Sequence, residues 1–149
     1  MAKWKKQAHV VYQNAYHLVW CPKYRYRILK GAVGKMVEDT LRLLCEWKQV
    51  EVMELSVRED HVHLVVGIPP RLSVSEVMGV LKGKTAIKLF KSYPGLKRRP
   101  YWGNRFWSRG YCVSTIGMDE EKIRRYVKYQ ESKEREAEAE AREWPLLGA

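Results

Sequence analysis

The spacing of apolar residues along this chain switches repeatedly between the period of a strand and that of a helix, and each switch marks an element. From Val10 to Cys21, β-branched and aromatic residues dominate, Val11, Tyr16, Leu18 and Trp20 among them, and the run ends at Pro22 in a basic turn, Lys23 to Arg27. That predicts a first strand. Val33, Val37, Leu41 and Leu44 then recur at helical spacing while Glu38, Asp39, Arg42 and Glu46 fill the other faces, so Val33 to Lys48 reads as an amphipathic helix covering a sheet. Val50 to Val57 and His61 to Ile68 are two β-rich runs parted by Arg58-Glu59-Asp60, short enough for an antiparallel hairpin.

Ser73-Val74-Ser75-Glu76 has capping-box spacing and Tyr93-Pro94-Gly95 is a stop, which brackets a second long helix. Leu96 to Arg109 is basic and aromatic with poor periodicity; Tyr111 to Ile116 reads as a strand, and Asp119-Glu120-Glu121 as the acidic first turn of a third helix running through Gln130. Strand, helix, strand, strand, helix, strand is the ferredoxin-like order, an α+β fold (βαββαβ) with both crossover helices on one face of an antiparallel sheet, and here a C-terminal helix is appended. One domain is expected over 1–149, with residues 1–9 as a basic arm and 131–149 as a solvated, helical extension and tail without chemistry.

Charge narrows the function. Lys and Arg outnumber Asp and Glu by 28 to 17, a net +11, which suits a polyanionic partner, nucleic acid ahead of an anionic membrane surface. With neither a long apolar run nor a signal-peptide core, the expectation is a soluble, cytoplasmic protein with no membrane partner. Cys21, Cys45 and Cys112 are scattered without metal-binding spacing and read as reduced, buried thiols.

His61-Val62-His63 is the sharpest local signal, because residues two apart in a strand share a face, leaving Val62, Leu64 and Val66 for the core. Alone, a bare His-x-His is a weak signal, better explained as two polar residues on a wet sheet face. Two imidazoles nevertheless make half of a metal site, and the third helix offers Gln130 to complete it. Tyr126 lies four residues before Gln130, on the same helical face; packing beside Ile123 and Val127 is its plainer alternative. A two-His, one-Gln site is neutral, keeps open positions, and suits Mg²⁺ or Mn²⁺ joined by substrate phosphate. Such a metal would polarise a scissile phosphate for attack by Tyr126, whose free phenol, with a pKa of about 10, is barely ionised at neutral pH. Phosphoester exchange through tyrosine needs no nucleotide cofactor, and no P-loop motif is present. Asp60 is either an orienting carboxylate for His61 or turn chemistry.

For the nucleic-acid surface the candidates are Lys84, Lys88 and Lys91, one row of the second helix, with Lys82 close by, and then Arg98, Arg99 and Arg105. The last three belong to a tract in which Tyr101, Trp102, Phe106 and Trp107 offer rings to unpaired bases, although some rings must be core. A solvated helix face is the alternative for the lysine row.

These residues together resemble the HUH single-tyrosine transposases of the insertion sequence 200/605 family. The landmarks are Tyr16-His17-Leu18-Val19-Trp20, Pro22-Lys23-Tyr24-Arg25, Asp60-His61-Val62-His63, Leu81-Lys82-Gly83-Lys84, Phe106-Trp107, and Tyr126 followed by Gln130, over roughly residues 10 to 133. The resemblance implies that Tyr126 is the nucleophile, that His61, His63 and Gln130 hold the metal, and that the substrate is single-stranded DNA with hairpins near the element ends. It also implies a homodimer in which the tyrosine helix completes the partner's metal site. The competing readings are a non-catalytic nucleic-acid-binding module of the same fold and a domesticated HUH nickase.

Overall fold

Tyr16–Trp20 lies inside a four-stranded sheet, flanked on both sides, and the rest of the fold is arranged on its two faces. The computed structural model describes residues 4–7, 10–12, 14–98, 105–115 and 117–143. In chain order the elements are β1 (Lys5–Gln7), β2 (Val10–Tyr12), β3 (Tyr16–Trp20), α1 (Gly31–Trp47), β4 (Glu51–Arg58), β5 (His61–Gly67), α2 (Val74–Ser92), β6 (Cys112–Ser114) and α3 (Glu120–Glu143). The main sheet runs β4-β5-β3-β6, all antiparallel. This is the expected ferredoxin-like order with its appended C-terminal helix.

Strand alternation sorts the residues. Leu18, Trp20, Val62, Leu64 and Val66 join Val37 and Leu41 of α1 and Val77, Met78 and Leu81 of α2 in the main core. Val19 and Cys21 point the other way and pack against Ile123 and Val127 of α3. The sheet is therefore covered on both faces, and α3 shares its face with His61 and His63, because Val19 pairs with His63 across β3 and β5.

Local signals explain the ends. The Ser73 hydroxyl accepts from the Glu76 amide at 3.1 Å, satisfying a free N–H of α2's first turn, as the capping-box spacing predicts. Asp119 does the same for Lys122 at 2.9 Å at the start of α3. Asn14 donates its side-chain amide to the Ile68 carbonyl at 2.6 Å and so ties the entry of β3 to the exit of β5.

Three expectations change. The run from Val10 to Cys21 is not one strand: Val10–Tyr12 pairs with Lys5–Gln7 in a separate ribbon, and only Tyr16–Trp20 enters the main sheet. The basic arm thus contributes a strand, and Lys5 is ion-paired with Glu51 at 2.6 Å. Second, α3 is one continuous helix through Glu143, and the supposedly passive extension contacts the body, since the Glu134 carboxylate accepts from the Tyr24 amide at 2.9 Å and the Ser108 hydroxyl at 2.6 Å. Third, Cys21 and Cys45 are buried free thiols as expected, but Cys112 is only partly buried.

Candidate functional site

β5 carries His61 and His63 onto the α3 face because Val62, Leu64 and Val66 claim the core face. The two imidazoles line an open cavity of about 990 Å³, together with Glu54, Ser56 and Arg58 of β4, His17 of β3, and the first turn of α3. Arg25, Arg27, Arg58 and Arg124 are its cations.

Each histidine is oriented by a neighbour. The Asp60 carboxylate lies 2.8 Å from Nδ1 of His61, which fixes that ring nitrogen as a donor and leaves Nε2 as the one a metal would take. Asp60 is thus both turn residue and orienting carboxylate. Nε2 of His63 lies 3.3 Å from Nδ1 of His17, with the rings stacked at 5.5 Å between centroids. Burial, and then the neighbouring His17, hold the His63 pKa below the ordinary histidine value, so the ring is neutral and able to act as a ligand at neutral pH.

His17 is a third imidazole that spacing did not single out. Its signal lay only in the register: one residue in β3 has to face β5 beside His63, and a pattern read within one strand cannot say which.

Tyr126 and Gln130 share a face of α3 as their spacing requires, but neither lines the histidine cavity. The Tyr126 hydroxyl is buried with no hydrogen-bond partner. Its pKa is raised, first by burial and then by the nearby Cys21 and Cys112 thiols; Gln130 lies near enough to weaken that effect without meeting hydrogen-bond geometry. The Gln130 amide nitrogen instead donates to the Arg109 carbonyl, and the side chain faces a second cavity, of about 550 Å³, with Lys23, Tyr24, Arg105, Arg109 and Lys133. Among the described residues, no group of three His, Cys, Asp or Glu side chains could hold a metal ion. The histidine pair, with Asp60 orienting His61, supplies two nitrogen donors on one face; in this docked arrangement of α3, Gln130 lines the other cavity and is held apart from them.

The nucleic-acid candidates divide. Lys84, Lys88 and Lys91 are exposed on α2, which covers the opposite face of the sheet from the histidines. The Lys82 amine is turned inward, donating to the Ser108 and Gly110 carbonyls at 2.8 and 2.7 Å, and burial lowers its pKa. Arg105 lines the Gln130 cavity. Arg98 ends a short helix, Pro94–Arg98, and Arg99, Tyr101 and Trp102 lie outside the described residues. Phe106 and Trp107 are core, at 1 % and 3 % exposure, and the Trp107 indole donates to the Lys82 carbonyl and the Thr85 hydroxyl. They are not free to stack on bases.

The chain thus carries a ferredoxin-like sheet with a histidine pair on one face and a tyrosine-bearing helix laid across that same face. It belongs to the IS200-like transposase family, whose model matches residues 10–130. A transposase for insertion sequence element IS200 from Salmonella typhimurium is 42% identical over 126 residues, covering 85% of this chain and 82% of that protein. The crystal structure of a putative transposase from Deinococcus radiodurans superposes with a TM-score of 0.77 at 35% identity, over 85% of this chain and 97% of that one. A REP-associated tyrosine transposase bound to a REP hairpin shares the fold at a TM-score of 0.51 and 16% identity, over 87% of this chain and 70% of that one. Among the described residues no helix is long and apolar enough to cross a membrane.

Proposed function

We propose that this transposase cuts and rejoins single-stranded DNA at the ends of an insertion sequence, with Tyr126 as nucleophile and His61, His63 and Gln130 as ligands of Mg²⁺ or Mn²⁺. The observation that carries the reading is the pairing of His61, oriented by Asp60 at 2.8 Å, and the neutral His63 on the sheet face that α3 covers.

In the reaction, the Tyr126 oxygen attacks phosphorus, a P–O bond to the phenol forms, and the bond to the 3′ oxygen breaks. In the net step the phenol proton ends on the departing 3′ oxygen, which leaves as a hydroxyl, and the 5′ end stays on Tyr126 as a phosphotyrosine. One ester replaces another, so resealing needs no nucleotide cofactor. Held by His61, His63 and Gln130, a divalent ion would supply charge neutralisation at the scissile phosphate. Arg27, Arg58 and Arg124 around the cavity supply further positive charge for the DNA backbone.

With its hydroxyl buried between α3 and the sheet, Tyr126 is not placed to react, so α3 leaves this docking site to deliver Tyr126 and Gln130 to a histidine pair. In a homodimer that pair belongs to the partner chain, in line with the family resemblance. Subterminal DNA hairpins are the recognised partner in this reading; the fold-related REP-associated transposase bound to a hairpin supports it.

The test mixes protein, Mg²⁺ or Mn²⁺ and labelled single strands spanning the hairpins that flank the gene, and looks on a denaturing gel for DNA attached to protein. An adduct lost in Tyr126→Phe establishes the reaction and its nucleophile. An adduct that persists in Tyr126→Phe removes Tyr126 from the role.

A further inference from the structure

Arg25 stands between the tyrosine helix and the histidine pair. Its Nε lies 3.2 Å from Oδ2 of Asp60, and its Nη1 lies 3.3 Å from Oε2 of Glu131. The other Asp60 oxygen, Oδ1, is the one held by Nδ1 of His61 at 2.8 Å. Both oxygens of Asp60 are therefore engaged, one by the ring it orients and one by Arg25, which leaves the carboxylate little freedom to rotate. Glu131 follows Gln130 directly in α3. A continuous chain of polar contacts thus runs from the tyrosine helix through Arg25 and Asp60 to His61.

The backbone under Arg25 depends on the same helix. Tyr24 and Arg25 are consecutive non-glycine residues in the left-handed region, at φ 56° and 54°. Such a pair is costly and persists only where its surroundings impose it. What imposes it here includes α3: the Tyr24 amide donates to Glu134 at 2.9 Å, one helical turn beyond Glu131. Withdrawal of α3 removes both Glu131, one of the two partners of the Arg25 side chain, and the acceptor that holds the backbone at Tyr24.

We propose that Arg25 is a positioning residue that ties the docking of the tyrosine helix to the orientation of His61, acting through Asp60. The inference rests on the metal reading of His61 given above. Because coupling between two sites is reciprocal, metal binding at His61 changes the hold of the body on α3 as much as α3 docking changes the metal site. Arg25 also has an effect of opposite sign: a cation near a divalent site repels the metal. Its removal therefore separates the two roles. If it acts only as a charge, affinity for metal rises without it; if it positions Asp60, affinity falls.

The experiment titrates Mn²⁺ alone into wild type, Arg25→Ala, Arg25→Lys and Glu131→Gln, reading free Mn²⁺ by electron paramagnetic resonance. Hydrogen exchange of the α3 amides is followed with and without the metal, and circular dichroism verifies that each variant is folded. Arg25→Ala is expected to bind Mn²⁺ about tenfold more weakly, the scale typical for loss of an outer partner of a metal-bound histidine, with Arg25→Lys recovering part of the loss. Glu131→Gln, which leaves Arg25 on Asp60, keeps affinity within about fivefold, the range for a solvent-accessible ion pair, the Arg25–Glu131 pair being partly covered, but loses the Mn²⁺-dependent change in α3 exchange seen in wild type. Affinity in Arg25→Ala equal to or above wild type overturns the inference, as does an exchange response that survives in Glu131→Gln. Wild type that binds no Mn²⁺ overturns the metal reading first and this inference with it.

Discussion

Nδ1 of His17 and Nε2 of His63 lie 3.3 Å apart across neighbouring strands. At that separation one ring donates and the other accepts, or the two nitrogens meet a single ion, since two ligands at about 2.1 Å from a metal are spaced much like this. Either way His17 governs which nitrogen of His63 is free. Burial and His17 together depress the His63 pKa, so His17→Ala should move it upward, toward the ordinary histidine value. The sign for stability follows. With the folded value depressed, the contribution of neutral His63 is complete above the unfolded value and is lost as pH falls through the folded one. Acid destabilisation of the metal-free protein below about pH 6.5 should thus be shallower in His17→Ala. Ring titration by NMR, with urea melts at pH 7.5 and 5, checks both; an unshifted His63 refutes the role given to His17.

The Tyr126 hydroxyl is held in the fold at a cost. It is buried with no partner, and an unsatisfied buried polar group commonly costs about 1–3 kcal/mol. Tyr126→Phe should therefore abolish the covalent adduct and yet stabilise the fold by about 1 kcal/mol. Denaturant melts of the two proteins measure it. A less stable Phe variant would mean that the hydroxyl is satisfied in solution, by water or by Gln130.

Much of this was legible in the residues, for reasons that also explain the failures. His61-Val62-His63 and Tyr126 with Gln130 are each set by the period of one element, so their faces follow from spacing alone. The Ser73 cap is equally local. The split of Val10 to Cys21 into two strands of different sheets is not, because β-propensity says nothing about which strand is the partner. Glu131 and Glu134 read as solvated charge until the turn at Tyr24 and Arg25 is brought against them. Lys82 belongs to the same helix as Lys84 and Lys88 and differs only in facing the loop at Ser108 and Gly110.

That difference among the lysines predicts opposite phenotypes. Lys82→Met removes two charge-assisted hydrogen bonds to carbonyls and should cost about 2 kcal/mol of stability. Lys84→Ala with Lys88→Ala, both exposed, should leave melting unchanged. The double variant should instead weaken DNA binding and flatten the slope of log affinity against log salt by about 1.4 for a single strand. Melting curves and salt titrations distinguish the two; an unchanged slope would move the DNA off the exposed face of α2.

Glu134 decides whether the docked helix is a barrier. Its carboxylate takes the Tyr24 amide and the Ser108 hydroxyl, and Glu134→Ala would leave the left-handed Tyr24 without that acceptor. The loss should loosen α3 by about 2 kcal/mol, visible as faster hydrogen exchange along α3 and quicker tryptic cleavage at Lys128 and Lys133. The Tyr126 hydroxyl is buried while α3 is docked, so a population shift of that size favours the state able to deliver it, and each 1.4 kcal/mol is worth about tenfold. If undocking limits the reaction, Glu134→Ala forms the covalent adduct at least several times faster than wild type despite being less stable. A slower variant would show that Glu134 and the turn it holds are needed in the reacting state as well, and that α3 carries these contacts into the active arrangement instead of leaving them behind.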